Sequence, residues 1–516
     1  MKSRKIPTLV LIVLLCLVFL TTSIGSGQID GSPRIHSTGI IFVHSADYSY
    51  TISKDGIYTV LSDSGGEITR NTDAITIINQ AITLANTISG SVLIMDGDYS
   101  LTDNIDMRSN IMVYVQLNVR LTVTTWSPTS IQGIVDFRGV TNAHFLTETA
   151  PSDESAYPEV IGRGTSNNEF GVLMTVLSST RTTHCSVGKI KFSNIGGYGI
   201  CLRGADNNEI NGAYLYGYCM AGGGNHHGLT IRAGSYNKLI DCHVDGLLRR
   251  VEGHPLFFGA EGAVTYNEVI GGVYENCGDS HAIYWCAETG KPVDHNKAIG
   301  GLSRGCRGSS YSCGFKLNPA TNSYIDWKIV DCSSGIEMGD GGAGGNHDNV
   351  IYAKIINCRR ASEFWTQRAS SHVENNEIHM DVDGNDPTEQ GYGTSENGRF
   401  GFAFSGWDSG GVNSYVQNNI IYLKVRNCKW GVVFTPYNIP QSETQEARYN
   451  TFFLDVDVTD YAIYWMSGSG GYGRYNTFNG YWHSILAGNC GSIPNADYVY
   501  TEAGTAVVAT NTFNPG

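Results

Sequence analysis

Residues 237–240 read Asn-Lys-Leu-Ile, residues 267–270 Asn-Glu-Val-Ile and residues 296–299 Asn-Lys-Ala-Ile. The same phrase, an Asn followed by an apolar anchor and an alternating run, recurs along the chain. It stands at Asn208-Glu-Ile210, Asn322-Ser-Tyr-Ile325, Asn349-Val-Ile351, Asn376-Glu-Ile378, Asn419-Ile-Ile421 and Asn450-Thr-Phe-Phe453. The anchors are spaced by 26 to 32 residues, with one interval of 43. Within a unit the apolar residues alternate, as at Ile325, Trp327 and Ile329, which is the period of a strand with one buried face. Strand-rich units of under ~30 residues predict a β-solenoid whose coils stack at roughly 4.8 Å. Asn suits the turn before each strand because it tolerates left-handed backbone and can ladder between coils. Propeller blades need ~40 residues, and regular Leu spacing is absent. The expected fold class is all-β, a single-stranded parallel β-helix.

Composition agrees. The chain has 516 residues with 63 Gly and only 16% charged residues, against a helical bundle or coiled coil. Its 41% hydrophobic content argues against disorder. With 34 basic and 48 acidic residues the net charge is −14, which disfavours a nucleic-acid partner. Residues 1–27 read as a cleaved signal peptide: Lys2, Arg4 and Lys5, an apolar run ending at Leu20, then small residues from Ser23 to Gly27. The apolar run is shorter than the ~20 residues that span a bilayer. The mature protein is expected to be secreted or at the cell surface, without stable membrane insertion. Its coils are expected over 28–480, with an irregular end over 481–516.

Asp73 to Asn86 (DAITIINQAITLAN) predicts an amphipathic helix with Ala74, Ile78, Ala81 or Ile82, and Ala85 on one face. Such a helix can plug the open end of the coil stack. Gly97-Asp98-Tyr99 and Ser109-Asn110-Ile111 follow. This series resembles the N-terminal region of the pectin-lyase-like superfamily. The resemblance implies a right-handed parallel β-helix and a polysaccharide partner. It leaves lyase, hydrolase, uronate epimerase and non-catalytic surface or adhesion protein open. The superfamily's site patterns are not intact. No Asp-Asp pair accompanies a Gly-His-Gly, no Arg-x-Pro-x-x-Arg occurs, and Asp279-Ser280-His281-Ala282 matches the Asp-Pro-His-Asp of epimerases at two positions.

A second column holds Cys277, Cys306, Cys332, Cys358 and Cys428, each seven residues after its anchor. Side-by-side Cβ vectors on stacked coils predict an unbonded, buried ladder. Cys306 with Cys313 is the candidate disulfide.

His227, His254 and His281 are spaced by 27 and open three consecutive strands. Alternation places them on the core side with Leu229, Leu256 and Ile283. They are either a buried ladder or, with Arg249, Arg250 and Asp279 near the strand mouth, a catalytic group. In the second case a neutral His abstracts a sugar proton and Arg offsets the developing charge. A three-His metal site is a further alternative, and calcium held by Asp and Asn in turns is another. The outward residues of the same strands form a candidate sugar-binding surface. They are Thr230, Arg232, Phe257, Tyr284 and Glu288, then Lys316, Asn318, Glu337, Asp340, Glu363 and Trp365, with His226 beside them. The loop 386–414, which accounts for the long interval, adds Trp407 as a groove wall. The expected function is binding, and processing, of an extracellular polysaccharide; the alternative is a non-catalytic envelope or adhesion protein.

Overall fold

The computed structural model describes residues 48–515, except 223–225, 248–252, 260, 309–311, 340–344, 367–371, 386–399, 408–413, 438–444, 466–472, 485–487, 490–498 and 502–510. The signal segment, Arg249, Arg250, Asp340 and most of the loop 386–414 lie outside the described residues, as does the Trp407 side chain.

Each coil contributes strands to three parallel faces. The first sheet runs through Leu229–Ser235, Leu256–Gly259, Ile283–Cys286, Cys313–Leu317, Ser334–Met338, Arg360–Thr366 and Phe400–Trp407. A short second sheet includes Asn346–His347, His372–Glu374, Ser414–Gln417 and Gln445–Arg448. The third sheet pairs Lys297–Arg304, Tyr324–Val330, Val350–Ile356 and Glu377–Asp383. It continues into Ile420–Tyr437, Thr451–Trp465 and Thr477–Ser484. The parallel β-helix is thus written in the register of the chain's own rungs.

Alternate residues of every strand fill the interior. Trp285, Trp327, Trp465 and Trp482 are fully buried there. Like rings stack from coil to coil, Phe258 on Trp285 at 5.2 Å and Phe434 on Trp465 at 4.8 Å. Before the coils, Tyr50–Asp55, Tyr58–Asp63 and Gly66–Asn71 form an antiparallel meander. Helix α1 (Ala74–Asn86) follows and buries Ala74, Ile75, Ile77, Ile78, Ala81, Ile82 and Ala85.

The Asn phrase marks a buried ladder on the turn between the second and third sheets. Asn237 donates its backbone N–H and its side-chain N–H to Asn267 Oδ1, both at 2.9 Å, and Asn267 does the same to Asn296. Two expectations are corrected. The left-handed residue is not the ladder Asn but the one before it, including Tyr236, Tyr266, His295 and Tyr449. At the coil of Asn322 the rung is held by Ser323, and Asn322 itself takes the left-handed position, φ 49°.

Strands also occur within the expected irregular end, at the described residues. Val499–Thr501 and Thr512–Pro515 continue as parallel rungs, and Asn511 Oδ1 extends the ladder by accepting the Asn476 N–H at 2.8 Å. Within the Cys column, Cys277 and Cys306 are joined by a disulfide, so that rung pair is not unbonded. Their Cα atoms are 4.9 Å apart, inside the range a bridge spans. Cys332, Cys358 and Cys428 are free and buried, and Cys313 is free rather than paired with Cys306.

Candidate functional site

The site is built at the mouth and on the outer face of the first sheet. His227 precedes Gly228, His254 precedes Pro255 and His281 precedes Ala282, each at a bend before the strand begins. Strict alternation would aim these rings at the core. The bend breaks the alternation, and the rings lie over the outer side instead. His227 stacks on Phe257 at 4.2 Å, while His254 and His281 meet Tyr284 edge-on at 4.7 and 5.2 Å.

The three imidazoles stack, with centroids 4.9 and 5.2 Å apart. Each Nδ1 accepts the backbone N–H of the next coil. His254 N–H reaches His227 at 3.1 Å, His281 N–H reaches His254 at 3.2 Å, and Cys313 N–H reaches His281 at 3.3 Å. A backbone N–H can only donate, so the ring proton resides on Nε2. Burial holds His227 and His281 well below the ordinary imidazole range. A neutral ring arranged this way can donate through Nε2 but offers no free nitrogen to take a proton. The Cys313 thiol lies 3.1 Å from His281 Nδ1, and burial pushes its pKa far up, so it is no ready thiolate.

By register the mouth column continues as Cys313, Ser334, Arg360, Phe400, Trp430 and Tyr461. Beside it runs the outward column: Phe257, Tyr284, Lys316, Glu337 and Glu363 on successive rungs. That column was expected to face solvent. Thr230, Phe257, Glu337, Glu363 and Trp365 are buried. Neighbouring side chains close over it. The His rings cover Phe257 and Tyr284, Arg360 reaches over Glu363, and the Trp365 indole lies across Gly339, where an added Cβ would come within 2.1 Å of it.

The centre of this strip is charged. Lys316 Nζ sits 3.1 Å from Glu337 Oε2 and over the rings of Trp365 and Tyr284 at 5.4 and 6.0 Å. Glu363 is bonded by the Arg360 guanidinium and the Ser405 hydroxyl. Burial raises the Glu363 carboxyl above the usual range, with Arg360 partly offsetting it. Burial works against the Lys316 charge, and the Glu337 carboxylate outweighs it, so the ammonium is held charged. Tyr284 Oη accepts from Asn318 Nδ2 at 2.9 Å.

The other expected residues are not brought into this centre. Arg232 donates to Tyr198 Oη at 2.6 Å and pairs with Glu261 at 3.2 Å. His226 packs edge-on to Tyr198 at 4.7 Å. Glu288 is exposed in a turn beyond the strand and pairs with Lys291 at 2.8 Å. Asp279 is exposed in the turn before His281. Arg360 and Ser405 were missed. A signal was present for Arg360, since Arg360 follows Ser334, and Glu363 follows Glu337, by 26 residues, the local repeat.

Among the described residues, no group of three or more His, Cys, Asp or Glu side chains is placed to hold a metal ion. Among them, too, no helix is long and apolar enough to cross a membrane.

No protein-family model and no curated protein matches the chain. Solved structures with a similar fold include Geobacillus virus E2 ORF18, at 16% identity over 62% of this chain and TM-score 0.40. This chain spans 59% of that protein's length. PfbA, a surface adhesin of Streptococcus pneumoniae, aligns at 9% identity over 82% of this chain and 91% of its own, TM-score 0.41. A double mutant of the tailspike protein of E. coli bacteriophage HK620 aligns at 11% identity over 88% of this chain and 77% of its own, TM-score 0.48. On its own strand pairings the chain is a parallel β-helix, the architecture that the resemblance to the pectin-lyase-like superfamily implies.

Proposed function

We propose that this chain is an exported right-handed β-helix protein that binds an extracellular polysaccharide along the outer face of the first sheet and hydrolyses it there. Helix α1 serves as the cap of the coil stack, and the basic and apolar start of the chain supports export. The observation that carries the reading is the carboxyl pair Glu337 and Glu363 on adjacent rungs, faced by Lys316 and Arg360. A buried group of four ionisable side chains contributes little net stability, because desolvation offsets the attraction. Carboxyls in unlike environments are what acid–base chemistry requires.

Glu363, whose proton affinity burial raises, gives its proton to the leaving sugar oxygen. Glu337, paired with Lys316, is the carboxylate that meets the anomeric carbon. Rungs ~4.8 Å apart approach the ~5–5.5 Å between the carboxyls of retaining glycosidases, in which water then releases the sugar from the second carboxylate. The His ladder positions Phe257 and Tyr284 on one side of the pair. On the other, Phe400, Trp430 and Tyr461 follow Arg360 by register on the next rungs, so rings precede and follow the charged centre for sugar contact.

The test is purified protein against acidic and neutral polysaccharides, following reducing ends together with the absorbance of unsaturated sugars. Reducing ends without unsaturated product are expected. Glu337→Gln and Glu363→Gln should each lower the release by about 10²–10⁴-fold. His254→Asn, which keeps an acceptor for the His281 N–H, should stay within about tenfold of the parent. Unsaturated product, or release that survives both Glu variants, would sink the hydrolase reading. A second reading, a non-catalytic glycan-binding surface protein, is favoured by the burial of both carboxyls, each 3% exposed. Binding without release in this panel would establish it.

A further inference from the structure

The third sheet carries a groove that the proposed hydrolytic site does not use. Its volume is about 680 Å³, and it is bounded at its ends by Gly300 and Gly480. One wall is the column Tyr352, His379, Tyr422 and Phe453, aligned rung by rung. These rings stack on one another at 4.4, 4.4 and 4.7 Å with planes within 12°. Tyr352, Tyr422 and Phe453 remain 37, 38 and 41% exposed. Two residues further along each strand runs the second wall: Lys328, Lys354, Asp381, Lys424 and Asp455.

We propose that this groove is a binding site for a neutral, extended oligosaccharide lying along the coil axis. Three features carry this, and none belongs to the first sheet. Within the column the facing ring faces are occupied by one another, so a ligand along it meets ring edges and the Tyr352 and Tyr422 hydroxyls; a polyhydroxylated chain fits these better than a flat aromatic molecule does. The lining holds three lysines (Lys328, Lys354, Lys424) and three aspartates (Asp326, Asp381, Asp455), and the charges balance. Lys424 lies 3.6 Å from Asp381, and Arg426 holds Asp455 at 2.7 Å. A balanced row of donors and acceptors suits hydroxyls and gives no preference to a polyanion. Lastly, an extended glycan advances about 5 Å per sugar, close to the ~4.8 Å between rungs, so successive sugars meet equivalent side chains. The groove crosses seven rungs, from Gly300 to Gly480.

The experiment is calorimetric titration of the full chain with cello-, manno-, xylo- and laminarihexaose, with hexagalacturonate as the acidic control. At least one neutral hexaose should bind saturably, more tightly than hexagalacturonate, and its trisaccharide at least tenfold more weakly. Tyr422→Ala should weaken binding at least tenfold. Tyr352→Phe with Tyr422→Phe, which keep the ring stack and remove the hydroxyls, should weaken it several-fold in a protein of unchanged melting temperature. Glu337→Gln should leave this binding intact, so failure of the hydrolytic reading and failure of this one are separable. The proposal is overturned if no neutral hexaose binds, if only hexagalacturonate does, or if the Tyr variants bind as the parent does. Sedimentation velocity provides the remaining arm: a dimer abolished by Tyr352→Ala would assign the groove to a second copy of the chain and overturn the proposal.

Discussion

At Asn349 a single residue closes four hydrogen bonds, three through its side chain and one through its backbone. Its Nδ2 donates to Ala320 O and Asn376 Oδ1 at 2.9 Å each, its Oδ1 accepts the Ser323 N–H at 3.0 Å, and its backbone N–H reaches Asn376 Oδ1 at 3.0 Å. The residue is fully buried, so no water can replace a lost partner. Asn349→Ala should therefore destabilise the fold by about 2–4 kcal/mol, read as a lower urea midpoint, because it strands a buried donor and a buried acceptor. Asp348, just before it, takes the left-handed backbone at φ 58°. Where that position holds tyrosine, stacking accompanies the strain, as between Tyr236 and Tyr266 at 5.2 Å and 7°. Gly339 is the other telling residue. Its missing Cβ is the space that Trp365 occupies. Gly339→Ala should displace the indole from Lys316 and change the intrinsic fluorescence, with the parallel register kept.

Among the elements, the 3₁₀ turn Glu154–Ala156 is fastened to the third sheet by one histidine. His243 is gripped by Glu154 through Nδ1 and by Glu275 through Nε2, both at 2.7 Å, and Arg304 also bonds Glu275. Burial disfavours the imidazolium, yet the bonds to Glu275 and Glu154 outweigh it and raise the His243 pKa. Burial likewise opposes the Glu275 charge, and His243 and Arg304 bring its pKa down to about 2. A raised histidine stabilises fully below its unfolded pKa of ~6.5 and loses that contribution as pH rises through the folded value. A depressed carboxylate stabilises above its unfolded pKa of ~4.3 and loses that as pH falls through its folded value. The latch should thus be tightest between about pH 4.5 and 6.5. Proteolysis within residues 149–158 should be slowest there and quicken towards pH 8.5, and His243→Ala should flatten the profile. An unchanged profile in that variant would show that His243 is not the latch.

For the whole molecule, each coil touches only its neighbours, so stability is a sum of rung contacts, and a tie between two coils acts locally. The Cys277–Cys306 bond closes a loop of 29 residues in the middle of the stack. Cys277→Ser with Cys306→Ser should lower stability by about 2–4 kcal/mol, seen as a lower melting temperature than that of the oxidised parent. Reductant should shift the parent towards the variant and leave the variant unmoved.

The sequence by itself determined the coil repeat, the parallel sheets and most of the Asn ladder, because each rests on local periodicity that successive rungs repeat, and it determined the helix over residues 74–86 through that segment's own helical apolar period. Asn511-Thr-Phe513 repeats Asn450-Thr-Phe452, a signal for a further rung that the expectation of an irregular end over 481–516 passed over. What the rings and charges at the strand mouths do was decided only by the tertiary structure. A bend of one residue before Leu229, Leu256 and Ile283 moves three histidines from the core side to the outer side, which strand alternation cannot foretell. The same holds for Lys316, Glu337, Glu363 and Arg360. Their spacing places them on adjacent rungs, but burial and pairing come from the side chains that fold across from the neighbouring column, and that closure is a property of the stacked coils.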